Sequence, residues 1–275
     1  MALPRIMISI LLIAAGIALA LAFTPLGLWY LAWVAFVPFL LAVAPARSLR
    51  ESFLVGFIFG SVVFAGTIYW LFHVAGFGVL FCIAYCAVFY GIFAALIWQM
   101  VFRRPSTFGI RALKLCILVP LAGAALEHLR AEMPLLGFGW AVVGYSQAEC
   151  VTVLALARLF GVYGISALIL FFNTALFIVL IDRTPGRRVV LQKGAVIAVC
   201  AAVLASVVLY GKNNAGTGDA AGVVRIALVQ PNISLEEKWE PLLKDLVITK
   251  TLKLIELADL QAPDVIITPE AAYPG

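Results

Sequence analysis

Residues 77–101 read FGVLFCIAYCAVFYGIFAALIWQMV, 25 positions without one charged side chain. A helix rises about 1.5 Å per residue, so about 20 apolar residues cross a bilayer, and this run is longer than that. Six further apolar runs flank it, at 6–22, 25–44, 52–72, 112–129, 155–181 and 190–210, each bounded by charges or by clusters of Pro and Gly. The composition agrees, with 64% of residues hydrophobic, 12% charged and a mean hydropathy of +1.11. A water-soluble domain has no use for that balance. Residues 1–210 are therefore expected to form a polytopic α-helical membrane bundle of about seven spans.

The cations between the runs fix an orientation. One side collects Arg5, then Arg47 and Arg50, then Arg103, Arg104, Arg111 and Lys114, then Arg183, Arg187, Arg188 and Lys193. The other receives mainly Arg130, Arg158 and Lys212. By the positive-inside rule the N-terminus is cytoplasmic and everything after Tyr210 lies outside. The net charge of +5 thus reflects topology. No basic patch interleaved with aromatics points to a nucleic-acid partner. The first run also has the form of a secretory signal, with Arg5 before it and small residues in ALALA, although the immediate return into a second run favours a retained anchor.

Chemistry-bearing residues are sparse within the runs. The five cysteines, Cys82, Cys86, Cys116, Cys150 and Cys200, lie in or beside apolar segments, without metal-type spacing and without the base or cation that activates a thiolate. His73, and His128 beside Glu127 and Arg130, fall at span ends, where snorkelling and charge pairing account for them. Placing Glu127 or Arg130 at mid-bilayer costs roughly 2.5–3.5 kcal/mol each on insertion scales, so both are expected at headgroup level, lining a route for lipid. Between the fifth and sixth runs, MPLLGFGWAVVGYSQAECV (133–151) is apolar but broken by Pro134, Gly137, Gly139 and Gly144. It reads as an interfacial or re-entrant segment on the outer face. Trp140 and Tyr145 are its amphipathic rings, either contacting lipid substrate or forming an ordinary aromatic belt.

After Tyr210 the character changes. Residues 211–222 are a small, polar, glycine-rich linker, and 223–275 have globular patterning. VVRIALVQP is a short β-branched run ended by Pro231, as in a strand of a parallel sheet buried on both faces. Ser234 and Glu237 have capping-box spacing. The stretch 240–259 places Leu243, Leu246, Thr249, Leu252 or Lys253, and Glu256 at helical spacing, with Leu242, Leu254 and Ile255 widening the stripe. APDVIITPE returns as a second strand, which completes a β-α-β unit with parallel strands. Chemistry in such sheets collects at the carboxyl ends of strands, and Glu270 stands at one.

VRIALVQPNISLEEKW (224–239), followed by DVIITPEAAYPG (264–275), resembles the start of the nitrilase-type domain of the apolipoprotein N-acyltransferase family. LAFTPLGLW (21–29), GTIYW (66–70) and LEHLRAEMPLLGFGWAVVGYSQ (126–147) are similar to that family's membrane part. The resemblance implies a bundle in the bacterial inner membrane carrying a periplasmic nitrilase-like α/β sandwich. It implies transfer of a fatty acyl chain from a phospholipid donor to the N-terminal diacylglyceryl-cysteine of a diacylated apolipoprotein, with no cofactor and no metal. It further implies a Glu-Lys-Cys triad with Glu270 as general base, and a substrate-binding role for Trp239, which otherwise packs at a helix start.

The sequence ends at Gly275, before the Lys and Cys that the resemblance implies, so the expectation is an incomplete product, inactive by itself. A non-catalytic lipid-binding membrane scaffold is the alternative. A transporter fits less well, because no internal repeat is evident and the acids cluster at span ends.

Overall fold

A computed structural model describes residues 5–180, 185–214, 222–234, 237–238 and 240–269. The described chain falls into two compact units, residues 1–216 and 217–275.

The first unit is helical. Its elements are α1 (Arg5–Leu21), α2 (Ala32–Val43), α3 (Leu49–Thr67), α4 (Phe72–Ala75), α5 (Val79–Ile97), α6 (Phe108–Glu132), α7 (Val151–Leu154), α8 (Ala157–Leu180) and α9 (Arg187–Asn214). Five segments are long and apolar enough to cross a membrane: 49–67, 69–102, 108–132, 157–180 and 187–214. Two shorter apolar helices, Ile6–Leu21 and Trp29–Val43, precede them. The start of α3 is capped by side chains. Ser48 accepts the Glu51 N–H at 3.1 Å, and the Glu51 carboxylate returns to the Arg47 N–H at 2.8 Å.

Aromatic rings fill the core where α2, α3 and α5 meet. Phe39 stacks on Phe93 at 5.6 Å and tilts against Phe59 at 4.9 Å, all three buried. Asn173, fully buried on α8, spans one step of α2: its amide donates to the Ala32 carbonyl and accepts from the Phe36 N–H, both at 2.9 Å. A polar group inside an apolar bundle is tolerated only when paired in this way. Gly161 (φ 63°, ψ −175°) breaks the start of α8 in a conformation that a Cβ disfavours.

The two ends of the bundle differ. At one end, basic and indole side chains donate to carbonyls at helix ends and in the adjoining loop: Trp98 Nε1 to Ala46 O at 2.7 Å, Lys193 to Val179 O at 2.9 Å, and Lys114 to Met100 O at 3.3 Å. At the other end lies the irregular segment 133–147.

Several boundaries depart from the sequence-based expectation. The third run ends as regular α-helix at Thr67 rather than 72, where Ile68 leaves helical geometry (φ −116°) and short turns follow. The fifth expected run forms α6 over 108–132 rather than 112–129, because Arg111, Arg130 and Glu132 are carried within it. The last helix continues to Asn214, so residues 211–214 of the expected linker are helical, while 215–221 lie outside the described residues.

In the second unit, β1 (Ile226–Leu228) pairs in parallel with β2 (Val265–Ile267), Ile226 opposite Val265. The helix between them is α10 (Lys244–Asp259), entered through a turn at Pro241–Leu243. Ser234 and Glu237 cap each other reciprocally at 3.1 and 3.2 Å. The buried stripe of α10 differs from the expected one. Val247 and Thr251 are inward, whereas Leu246 and Leu252 are exposed. The helix is apolar on two faces, and the one that carries Val247 is buried.

Candidate functional site

Residues 133–142 form neither helix nor strand, and a 3₁₀ turn follows at Val143–Gln147. Irregular backbone packed against apolar helices must find partners in the protein, because apolar surroundings offer none. The segment finds them in side chains sent from the helices. Arg130, near the end of α6 and only 2% exposed, donates from Nη1 to the carbonyls of Phe138 (2.6 Å) and Trp140 (2.8 Å). Its own carbonyl accepts the Phe138 N–H at 2.9 Å, and its guanidinium lies 4.9 Å from the centroid of the Phe64 ring.

One turn earlier, Glu127 Oε1 accepts the Val143 N–H at 2.8 Å. Ser166 on α8, fully buried, accepts the Gly144 N–H at 2.8 Å. Gly144 is required by close approach, since a Cβ there would stand 2.3 Å from the Val162 carbonyl oxygen. Gln147 completes the set: its amide donates to Trp29 O (3.1 Å) and Ser146 Oγ (2.8 Å), and accepts from the Trp33 indole (2.9 Å). Tyr85 ties the other limb by donating to the Leu136 carbonyl at 2.9 Å.

This scaffold presents aromatic rings at its surface. Trp140 is 55% exposed and meets Trp70 edge-on at 5.6 Å, and Tyr145 is similarly exposed. Behind the segment a cavity enclosing about 30 Å³ is lined by Glu127, Arg130, Val143, Phe36, Tyr90 and Leu170, among others. Glu127 Oε2 is buried there without a hydrogen-bond partner among the described residues.

Of the residues singled out from sequence, Trp140 and Tyr145 therefore share one structured segment. Trp239 and Glu270 lie outside the described residues. β2 ends three positions before Glu270. His128 packs edge-on against Tyr163 at 5.1 Å. Arg130, expected at headgroup level, turns its cation inward against the protein, where two loop carbonyls take its donors. Sequence reasoning missed Ser166 and Gln147 as loop anchors. Trp33 and Gln147 are 114 positions apart, and no local spacing announces such a pair.

Residues 15–175 match the family described as Apolipoprotein N-acyltransferase N-terminal domain. The chain is similar to the apolipoprotein N-acyltransferase of Geobacter metallireducens, with 31% identity over 274 residues, 95% of this chain and 50% of the relative. It is 29% identical to that of Methylococcus capsulatus over 281 residues, covering 97% of this chain and 51% of the relative. It is 30% identical to that of Shewanella oneidensis over 273 residues, covering 94% and 49%. The chain spans about half the length of the curated relatives it matches.

Proposed function

The chain belongs to the apolipoprotein N-acyltransferase family, and on that premise we propose that it serves transfer of a fatty acyl chain from a phospholipid to the α-amino group of a diacylglyceryl-cysteine on an apolipoprotein. The observation that carries this reading is that the similarity covers 94–97% of the chain, through both the helical bundle and the β-α-β unit. A scaffold or transporter reading accounts for the bundle alone.

In this proposal all seven apolar helices span the inner membrane, including α1 and α2. The basic end is cytoplasmic, and residues 133–147 and 223–275 are periplasmic. Residues 223–275 begin a nitrilase-like sandwich, and Glu270 is the general base of the family's Glu-Lys-Cys triad. Glu270 takes the proton of the cysteine thiol, whose thiolate attacks the donor's ester carbonyl. The lysophospholipid alkoxide leaves with that proton, and a thioester remains. The lipoprotein's amine then attacks the thioester, its proton passes to the departing thiolate through the base, and the thiol is restored. Trp239, Trp140 and Tyr145 contact lipid substrate.

Residues 1–275 contain only the first member of that triad, so this segment alone is expected to show no turnover. Joined to the second half of the Geobacter relative, it should acylate a diacylated lipopeptide, and Glu270→Gln should reduce the rate by about 10²–10⁴-fold. Turnover by residues 1–275 alone, or an unimpaired Gln variant, overturns the assignment.

A further inference from the structure

We propose that Glu127 and Arg130 are positioning residues, a two-armed latch that holds residues 138–144 against the bundle and so sets where Trp140 meets lipid. The inference rests on the lipid-transfer reading only for its purpose; the latch itself rests on geometry.

Three observations carry it. The two residues stand three apart on α6, hence on one face. They reach different stretches of the same segment, Arg130 the carbonyls of Phe138 and Trp140, and Glu127 the N–H of Val143. They are also costly to keep there. Arg130 is 2% exposed, and no Glu127–Arg130 contact is short enough for a direct ion pair among the described residues, so loop backbone and the Phe64 face supply the guanidinium's company. Charges at helix ends ordinarily turn toward water. These two turn inward, and the return is a defined shape for a segment with no secondary structure of its own.

Val143 and both latch residues line the cavity behind the segment. The latched segment therefore lends Val143 to one wall of that cavity. Glu127 divides its oxygens accordingly: Oε1 holds the segment, and Oε2 faces inward without a partner among the described residues.

The test separates holding from chemistry. Glu127→Gln keeps an acceptor oxygen for Val143, whereas Glu127→Ala removes it. Arg130→Lys keeps the charge but not two donors in a fixed fork. With residues 1–275 in nanodiscs of phosphatidylethanolamine and phosphatidylglycerol, amide exchange across 138–144 should quicken about tenfold in Glu127→Ala, by more in Arg130→Ala and less in Arg130→Lys, and stay within about twofold of the parent in Glu127→Gln. A photocrosslinking residue at position 140, with a phospholipid probe, should lose saturable labelling in the same order. Exchange in 138–144 unchanged by Glu127→Ala overturns the latch, as does a Gln variant equal to the Ala variant, even if acyl transfer is established. If transfer fails while exchange follows the expected order, the latch stands and the functional reading falls.

Discussion

Residues 133–147 and the described part of 217–275 make opposite use of regular structure. The first segment has almost none, yet Arg130, Glu127 and Ser166 pair its backbone into the bundle, and its own Gln147 ties its end to Trp29 and Trp33. The second is a regular strand, helix and strand, yet both strands are exposed at two of three positions, and Leu246, Leu252 and Leu257 stand exposed along α10. Parallel strands are stable when both faces are covered, and a pair of three-residue strands is too small to supply that cover. Regularity and completeness are thus separate properties. An irregular segment can be finished by side chains sent to it, and a regular one can remain half a core.

The largest effect that tests this contrast belongs to the second region. If its role is to deliver a base, Glu270→Gln in the joined chain removes about 10²–10⁴ of acyl-transfer rate and leaves thermal unfolding of the bundle in detergent unchanged. Equal loss of stability and rate would make Glu270 a structural residue.

The next effect belongs to the first region. Gly144→Ala sets a methyl 2.3 Å from the Val162 carbonyl oxygen, and Asn173→Leu leaves the Ala32 carbonyl without its side-chain donor. Each should destabilise the bundle by about 1–3 kcal/mol, read as a lower thermal midpoint in detergent. A neutral Gly144→Ala would mean that the segment is not seated against α8.

The smallest effect concerns the exposed rings. Trp140→Ala should weaken saturable phospholipid photolabelling nearby by about threefold to tenfold, whereas Phe77→Ala, also strongly exposed, should not. Equal effects would reduce Trp140 to one ring of an aromatic belt.

The sequence makes the second region's elements legible and the first region's shape illegible, for the same physical reason. Hydrophobic period and β-branched runs report local geometry, so β1, α10, β2 and the Ser234–Glu237 cap are visible in advance. Apolar length likewise marks the five long helices and the two shorter ones, although Arg111 hides the true start of α6. Period cannot show which of two apolar stripes on α10 faces a sheet, and Val247 rather than Leu246 is inward because of what packs there. The shape of 133–147 depends on contacts such as Trp33 to Gln147, which no window of sequence contains. Arg130 reads as a helix-end cation, and only the loop carbonyls it meets reveal its inward turn.

If the proposed orientation is right, both regions lie on the periplasmic side while the basic end is cytoplasmic. Single cysteines at positions 140, 213 and 104, in a chain whose five natural cysteines are replaced, answer this with a membrane-impermeant thiol reagent on intact cells. Positions 140 and 213 should label without permeabilisation, and position 104 only after it. Labelling of 140 and 213 from opposite sides of the membrane would contradict the proposed orientation.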